Sequence, residues 1–131
     1  MRLYTEAEAR AILPSIIPVI EKLRDCFVEL RALQATIAAE ARGATGDGNL
    51  LADPWADEGG DNRVEGLSRD LRSAAGQLSE LGIEVKDPEK GLIDFYHHRD
   101  GRVVYLCYML GESGIGFWHE LRAGFAGRQP L

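Results

Sequence analysis

Residues 92–110 read LIDFYHHRDGRVVYLCYML, and this stretch decides the fold. Leu92 to His98 has the apolar and aromatic content of a β-strand, and Asp100-Gly101 favours a two-residue hairpin turn. Arg102 to Leu110 is predicted to return as the next strand. Its apolar residues fall on both faces, so we expect a central strand covered by helices on one face. The C-terminal tail or a second subunit would cover the other.

The predicted sheet extends to either side of this hairpin. After a turn at 111–114, residues 115–119 are predicted as a third strand, while residues 85–87 form a short segment of strand character that Pro88 stops. The pattern over residues 84–119 predicts a small three-stranded antiparallel sheet, followed by an irregular tail at 120–131. Two interpretations of this tail stay open: a strap that Arg128 pins to Glu112 or Asp94, and an anion-binding rim.

Upstream of the sheet, two amphipathic stretches predict a long antiparallel helical hairpin. Its first arm, residues 5–42, begins with a capping box at Thr5-Glu6-Ala7-Glu8. Pro14 is predicted to end or kink a short first helix near Ile12 or Leu13, and a second, longer helix is predicted to begin around Pro14 or Ser15. A heptad-like seam with one polar interruption runs along the arm. It consists of Ile16, Ile20, Leu23, Phe27, Leu30, Gln34, Ile37 and Ala41.

The second arm, residues 61–82, has the same apolar periodicity. Asp61 is predicted to cap its start, and Gly82, followed by apolar Ile83, to supply the left-handed residue at its end. Residues 43–60 are rich in glycine and acids and are predicted to be a mobile loop. The apolar loop residues expected to dock on the body are Leu50, Leu51 and Trp55. The seam of the arm consists of Val64, Leu67, Leu71, Ala74, Leu78 and Leu81.

Size and composition restrict the class of protein. The 131 residues fit one α+β domain, and the net charge of −6, with basic residues spread along the chain, argues against nucleic acid as a partner. The N-terminus lacks a signal-peptide core, and no apolar run is long enough to span a membrane. Cys26 and Cys107 have no CxxC partner, so we expect reduced thiols in the cytoplasm, with a disulfide as the alternative.

Candidate functional residues lie in the last third of the chain. His119-Glu120 opens like the HExxH helix of zinc proteases, but residue 123 is alanine, which excludes that site. Asp94 is an unexpected carboxylate in an apolar strand. Because imidazole and carboxylates bind divalent metals, Asp94, Glu112 and His119 are candidate metal ligands. The alternative is that backbone and arginine partners simply satisfy these polar groups.

Other residues of this region have structural interpretations. Adjacent His97 and His98 are expected to point to opposite sheet faces, with one of them solvated. Cys107, between Leu106 and Tyr108, is predicted to be buried and inert.

Short sequences spread along the chain resemble the prokaryotic Domain of Unknown Function 2203 family. The resemblance implies a small prokaryotic cytoplasmic protein with no established activity, and it directs attention to six polar positions. The matching segments are Glu8-Ala9, Leu13-Pro14, Lys86 to Pro88, Gly91 to Phe95, Arg99 to Gly101, Leu106-Cys107, Leu110 to Glu112, Trp118 to Leu121 and Gly124 to Pro130. The six positions are Asp94, Arg99, Glu112, His119, Glu120 and Arg128.

Two functional hypotheses follow. The first is a non-catalytic binding or assembly module that forms a homodimer, because of the helical seam and the doubly apolar strand. The second is a metal-binding protein or small metal-dependent enzyme that uses His119 with Asp94, Glu112 or Glu120. A divalent metal is the only cofactor that the sequence indicates, and the substrate or partner is left open.

Overall fold

The computed structural model describes residues 1–44 and 56–131 and confirms the α+β class. Two helices precede a β-sheet, and a short 3-10 helix lies in the tail at Phe125–Gly127. The helices are α1 (Glu6–Ala44) and α2 (Ala56–Glu80). The strands are β1 (Ile83–Asp87), β2 (Leu92–Arg99), β3 (Arg102–Met109), β4 (Phe117–His119) and β5 (Gln129–Pro130).

The start of α1 forms as predicted. The Glu8 carboxylate accepts a hydrogen bond from the Thr5 amide at 3.0 Å, and the Thr5 hydroxyl accepts one from the Glu8 amide at 3.0 Å. These reciprocal bonds satisfy two amides that the first turn of a helix leaves without partners.

The predicted break at Pro14 is wrong, because α1 continues through Pro14 and Pro18 as one helix. Each proline removes one backbone hydrogen bond, which leaves the carbonyls of Arg10 and Pro14 without a helical donor. Residues 10, 14 and 18 lie on the exposed side of the helix. Water can therefore satisfy the freed carbonyls, and the apolar side of the helix still packs on the core.

Helices α1 and α2 pack against each other through the predicted seams. Ile20, Leu23 and Leu30 are buried on α1, and Ala74 and Leu78 on α2. Farther along α1 the seam becomes exposed, at residues 34, 37 and 41. No helix in the described parts of the chain is long and apolar enough to cross a membrane.

The boundaries of the second arm differ from the prediction. Helix α2 begins at Ala56, before the predicted cap at Asp61. The predicted loop at 43–60 is therefore shorter, since residues 43–44 belong to α1 and 56–60 to α2. Its remainder, with Leu50, Leu51 and Trp55, lies outside the described residues. At the other end, Gly82 has the predicted left-handed conformation, with φ 74°, and Ile83 is buried.

The sheet has five strands rather than the predicted three, in the order β1-β2-β3-β4-β5 with antiparallel neighbours. Residues 83–87 form a full edge strand with an irregularity between Val85 and Asp87. Part of the tail that was predicted to be irregular pairs with β4 as strand β5. Proline is tolerated in β5 because this strand lies at an edge of the sheet.

The β2–β3 hairpin forms around the predicted turn. Asp100 and Gly101 both have positive φ, 51° and 79°, as a two-residue hairpin turn requires. Residues 104–108 are all buried, as predicted for a central strand.

The two faces of the sheet have different compositions. The helix-facing side joins α1 and α2 in one apolar core, to which it contributes Ile83, Ile93, Phe95, Val104, Leu106, Tyr108 and Trp118. The register places the other alternating set on the opposite side, which we call the polar face. Its residues are Glu84, Asp94, Tyr96, Tyr105, Cys107, Phe117 and His119.

Candidate metal centre on the polar face

The strand register brings Asp94, Cys107 and His119 together. Asp94 of β2 is directly opposite Cys107 of β3, and His119 of β4 is opposite Tyr105, two residues along β3. Strands β2 and β4 are separated by β3, a distance of about 10 Å between strand axes. The imidazole of His119 therefore reaches Asp94 across β3, where the small Cys107 side chain leaves room.

The three side chains form a buried cluster. Nε2 of His119 lies 3.1 and 3.0 Å from the two carboxylate oxygens of Asp94. One potential ligand atom from each of Asp94, Cys107 and His119 lies within 4.8 Å of the others. Their exposed fractions are 1%, 0% and 2% respectively. Among the described residues this is the only group of three or more such side chains compact enough to hold one ion.

The hydrogen bonds fix where the protons lie. Nδ1 of His119 is 2.8 Å from the carbonyl oxygen of Glu120, which only accepts, so Nδ1 carries a proton. Nε2 faces the Asp94 carboxylate, and one proton between them is needed for a hydrogen bond. Burial raises the pKa of the Asp94 carboxyl, and the nearby His119 opposes that rise.

Cys107 is a neutral thiol in this cluster. Burial, with a further contribution from Asp94, raises the pKa of the Cys107 thiol to about 12. Its sulfur lies within 4.8 Å of a carboxylate oxygen of Asp94. Cys107 is therefore buried and lacks the thiolate that a nucleophilic cysteine needs, as the sequence predicted.

Glu112 and Arg128 form a second cluster. Nη2 of Arg128 donates to the two Glu112 carboxylate oxygens at 2.8 and 2.7 Å, and the Met109 amide donates to one of them at 2.7 Å. The Arg128 guanidinium lies 4.0 Å from the ring centre of Phe117 and 4.6 Å from that of Phe125. Of the two carboxylates predicted to pin the strap, Arg128 therefore contacts Glu112. Glu112, a predicted metal ligand, lies outside the compact group around His119.

The remaining predicted site residues make separate ion pairs. Arg99 reaches Glu6 of α1 at 3.4 Å and lies 5.0 Å from the ring centre of Trp118, so it acts between the sheet and α1. Glu120 pairs with Arg102 at the surface, and this ion pair lowers the pKa of the Glu120 carboxyl. The six positions therefore do not converge on one pocket, and only Asp94 and His119 join in the compact group.

The two neighbouring histidines separate as predicted. His98 is exposed, whereas His97 is buried and its Nδ1 lies 2.7 Å from the carbonyl oxygen of Tyr4. Neither belongs to the cluster around His119.

A polar and aromatic group borders the cluster. The Glu84 carboxylate accepts hydrogen bonds from the hydroxyls of Tyr96 and Tyr105, the latter at 2.9 Å, and from Lys86. The Tyr105 ring centre lies 5.3 Å from that of His119. Side-chain hydrogen bonds thus hold the residues that border the cluster of Asp94, Cys107 and His119.

The position of Cys107 beside Asp94 was not predicted, although the sequence contains a signal for it. A two-residue turn at Asp100-Gly101 makes paired residue numbers in the hairpin sum to the same value, which sets Asp94 opposite Cys107. The position of His119 over this pair depends on the short strand β4, whose register the sequence does not determine.

A family model described as an uncharacterized conserved protein, DUF2203, matches residues 2–131. The chain belongs to the DUF2203 family. The match covers essentially the whole chain and confirms the family resemblance noted in the sequence. No curated protein and no solved structure matches this DUF2203 chain significantly.

Proposed function

We propose that this DUF2203 protein is a binding module for a divalent metal ion, with Asp94 and His119 as its primary ligands. The observation that carries the proposal is the buried contact between Nε2 of His119 and the Asp94 carboxylate, at 3.0 and 3.1 Å. A nitrogen and an oxygen ligand of a tetrahedral zinc ion lie about 3.3 Å apart, so little movement is needed to admit an ion.

The second ring nitrogen of His119 supports the same proposal. Metal-bound histidines usually donate their other N–H to a carbonyl or carboxylate, which fixes the tautomer and orients the ring. Here the Glu120 carbonyl oxygen lies 2.8 Å from Nδ1 and leaves Nε2 as the nitrogen directed at the site. An ion would take the place of the proton that Nε2 and Asp94 now share.

Burial of the cluster favours binding over turnover. All three side chains are almost inaccessible to solvent, so a substrate-sized molecule has no direct route to them. A buried ion would join β2 and β4 across β3 and stabilise the folded state by mass action. The metal-dependent enzyme considered from the sequence remains the less supported version of this proposal.

Metal content is the first test. Protein purified without an affinity tag is analysed by mass spectrometry beside His119→Ala, with His98→Ala as the matched control at an exposed histidine. We expect a stoichiometric metal in the wild type and in His98→Ala, and its loss in His119→Ala. Correctly folded wild-type protein that takes up no zinc, cobalt or manganese would contradict the proposal. Asp94 and His119 would then be a structural brace.

Self-association is a second candidate function, favoured by apolar exposure on α1. Val28 and Ile37 are 46% and 39% exposed, although large apolar residues are costly in water. The two residues are nine positions apart and therefore lie on opposite sides of α1, so one interface would cover only one of them. A second copy that covers the exposed end of the seam at Ile37 would make the protein an assembly module. We expect light scattering over a wide concentration range to show a dimer that Ile37→Lys weakens. A strictly monomeric species would count against self-association.

Cytoplasmic location and the lack of nucleic-acid binding stay predictions.

A further inference from the structure

We infer that Cys107 is the third ligand of the proposed ion, bound as a thiolate, and that the site takes a thiolate-preferring metal of the zinc class. This inference rests on the proposed metal site and specifies its chemistry. Cys107 entered the sequence analysis only as an inert core residue, and the predicted ligand set held Glu112 in its place.

The position of the Cys107 sulfur supports its assignment as a ligand. Cys107 is opposite Asp94 in the hairpin register, and its sulfur belongs to the group of ligand atoms that lie within 4.8 Å of one another. In a tetrahedral zinc site a thiolate sulfur and an imidazole nitrogen are about 3.6 Å apart. Side-chain rotations can shorten the distances between these ligand atoms by roughly 1 Å without a change in strand register.

The charge of the buried site also supports a thiolate at Cys107. A divalent ion bound by the Asp94 carboxylate and neutral His119 alone would leave a net positive charge in a buried place. An isolated buried charge is costly. The nearby carboxylates already have partners, since Glu112 pairs with Arg128 and Glu84 with Lys86. A thiolate at Cys107 makes the ion and its ligands neutral.

The donor set decides which metal is bound. One sulfur, one nitrogen and one carboxylate oxygen suit zinc, whereas magnesium, calcium and manganese prefer sites made of oxygen. Bound metal also removes the proton of a coordinating thiol outright, so the neutral state of Cys107 in the metal-free protein does not oppose coordination. Three protein ligands leave a fourth position for water or another small ligand.

A simpler explanation for Cys107 is that it is a spacer. The imidazole of His119 reaches across β3 beside Cys107, and a small side chain at residue 107 would leave room for it. Serine and alanine are as small as cysteine and would fill that role equally well. A thiolate ligand, in contrast, cannot be replaced by either residue.

Cobalt substitution separates these explanations. Cobalt(II) is added to the full-length metal-free protein, and its absorption is recorded for the wild type, Cys107→Ser and Cys26→Ser. Cys26 is the matched control because it is the other buried free cysteine. We expect a near-ultraviolet thiolate-to-cobalt band in the wild type and in Cys26→Ser. We expect Cys107→Ser to lose the band and to bind zinc roughly tenfold or more weakly.

The outcomes distinguish the inference from the proposed function. Cobalt bound with visible d–d bands but without the thiolate band would overturn the Cys107 assignment and leave the Asp94–His119 site standing. Manganese binding as tight as zinc binding would overturn the assignment of metal class. No binding of any ion by folded wild-type protein would overturn both. The wild-type spectrum decides the ligand even if Cys107→Ser fails to fold.

Discussion

Residues one position apart on the same strands are buried for different reasons. On the helix-facing side, Phe95 and Leu106 are fully buried among apolar side chains of α1 and α2. On the polar face, Asp94 and Cys107 are equally buried, yet Asp94 contacts His119 and Cys107 lies close to both. Burial on the first side follows from the hydrophobic effect. Burial on the polar face requires polar groups to form hydrogen bonds with one another. Because this needs a specific arrangement of side chains, it is a better indicator of function than apolar burial.

The largest expected effect tests the helix-facing side. Phe95→Ala removes a fully buried ring that packs edge-on against Tyr4, and we expect it to lower the free energy of unfolding by about 4 kcal/mol. Urea denaturation followed by circular dichroism measures this loss. A loss of less than about 1 kcal/mol would mean that this side is not the main source of stability.

A smaller effect is expected on the polar face in the absence of metal. His119→Ala leaves the Asp94 carboxyl buried without its partner, and we expect a loss of about 2 kcal/mol in chelator-treated protein. The double variant Asp94→Ala with His119→Ala should lose less than the sum of the single losses, because the two residues interact. Additive losses would show that the contact contributes nothing to stability.

Thr5→Ala gives a reference change away from both faces. It removes the hydroxyl that accepts a hydrogen bond from the Glu8 amide, and we expect a loss of about 1 kcal/mol in urea denaturation. Thr5→Ser keeps the cap and should stay near the wild type. An equal loss in both variants would place the effect outside the cap.

The smallest effect concerns pH and the partly exposed edge of the polar face. The hydrogen bond from Lys86, with those from Tyr96 and Tyr105, lowers the pKa of the Glu84 carboxyl in the folded protein. Its stabilising contribution is therefore present above the unfolded pKa, about 4.3, and is lost as pH falls through the folded value. Urea denaturation midpoints are measured from about pH 3 to about pH 7. They should fall less steeply with decreasing pH in Glu84→Gln than in the wild type. An unchanged slope would rule out this contribution.

Local chemistry made much of the fold predictable. Asp100-Gly101 defined the hairpin turn, Thr5 and Glu8 the start of α1, and Gly82 the end of α2. The continuity of α1 through Pro14 was not predictable in the same way, because the cost of a proline depends on which side of the helix faces water.

The candidate site was predictable only in part. Asp94 and His119 attracted attention as polar residues in apolar surroundings, and the structure brings them together. Glu112 was predicted both as a metal ligand and as a partner of Arg128, and only the pairing of β5 with β4 decides between the two. A two-residue strand such as β5 carries too little periodicity to be recognised from sequence.

The reach of His119 across β3 also sets an order of assembly. Asp94 and Cys107 are opposite each other in a local hairpin, and they come together as soon as β2 and β3 pair. Asp94 gains its imidazole partner only after β4 has been synthesised and has joined the sheet. Until β4 has joined the sheet, the Asp94 carboxyl has no imidazole beside it and the polar face is incomplete. The C-terminal strands then complete the polar face of this DUF2203 domain.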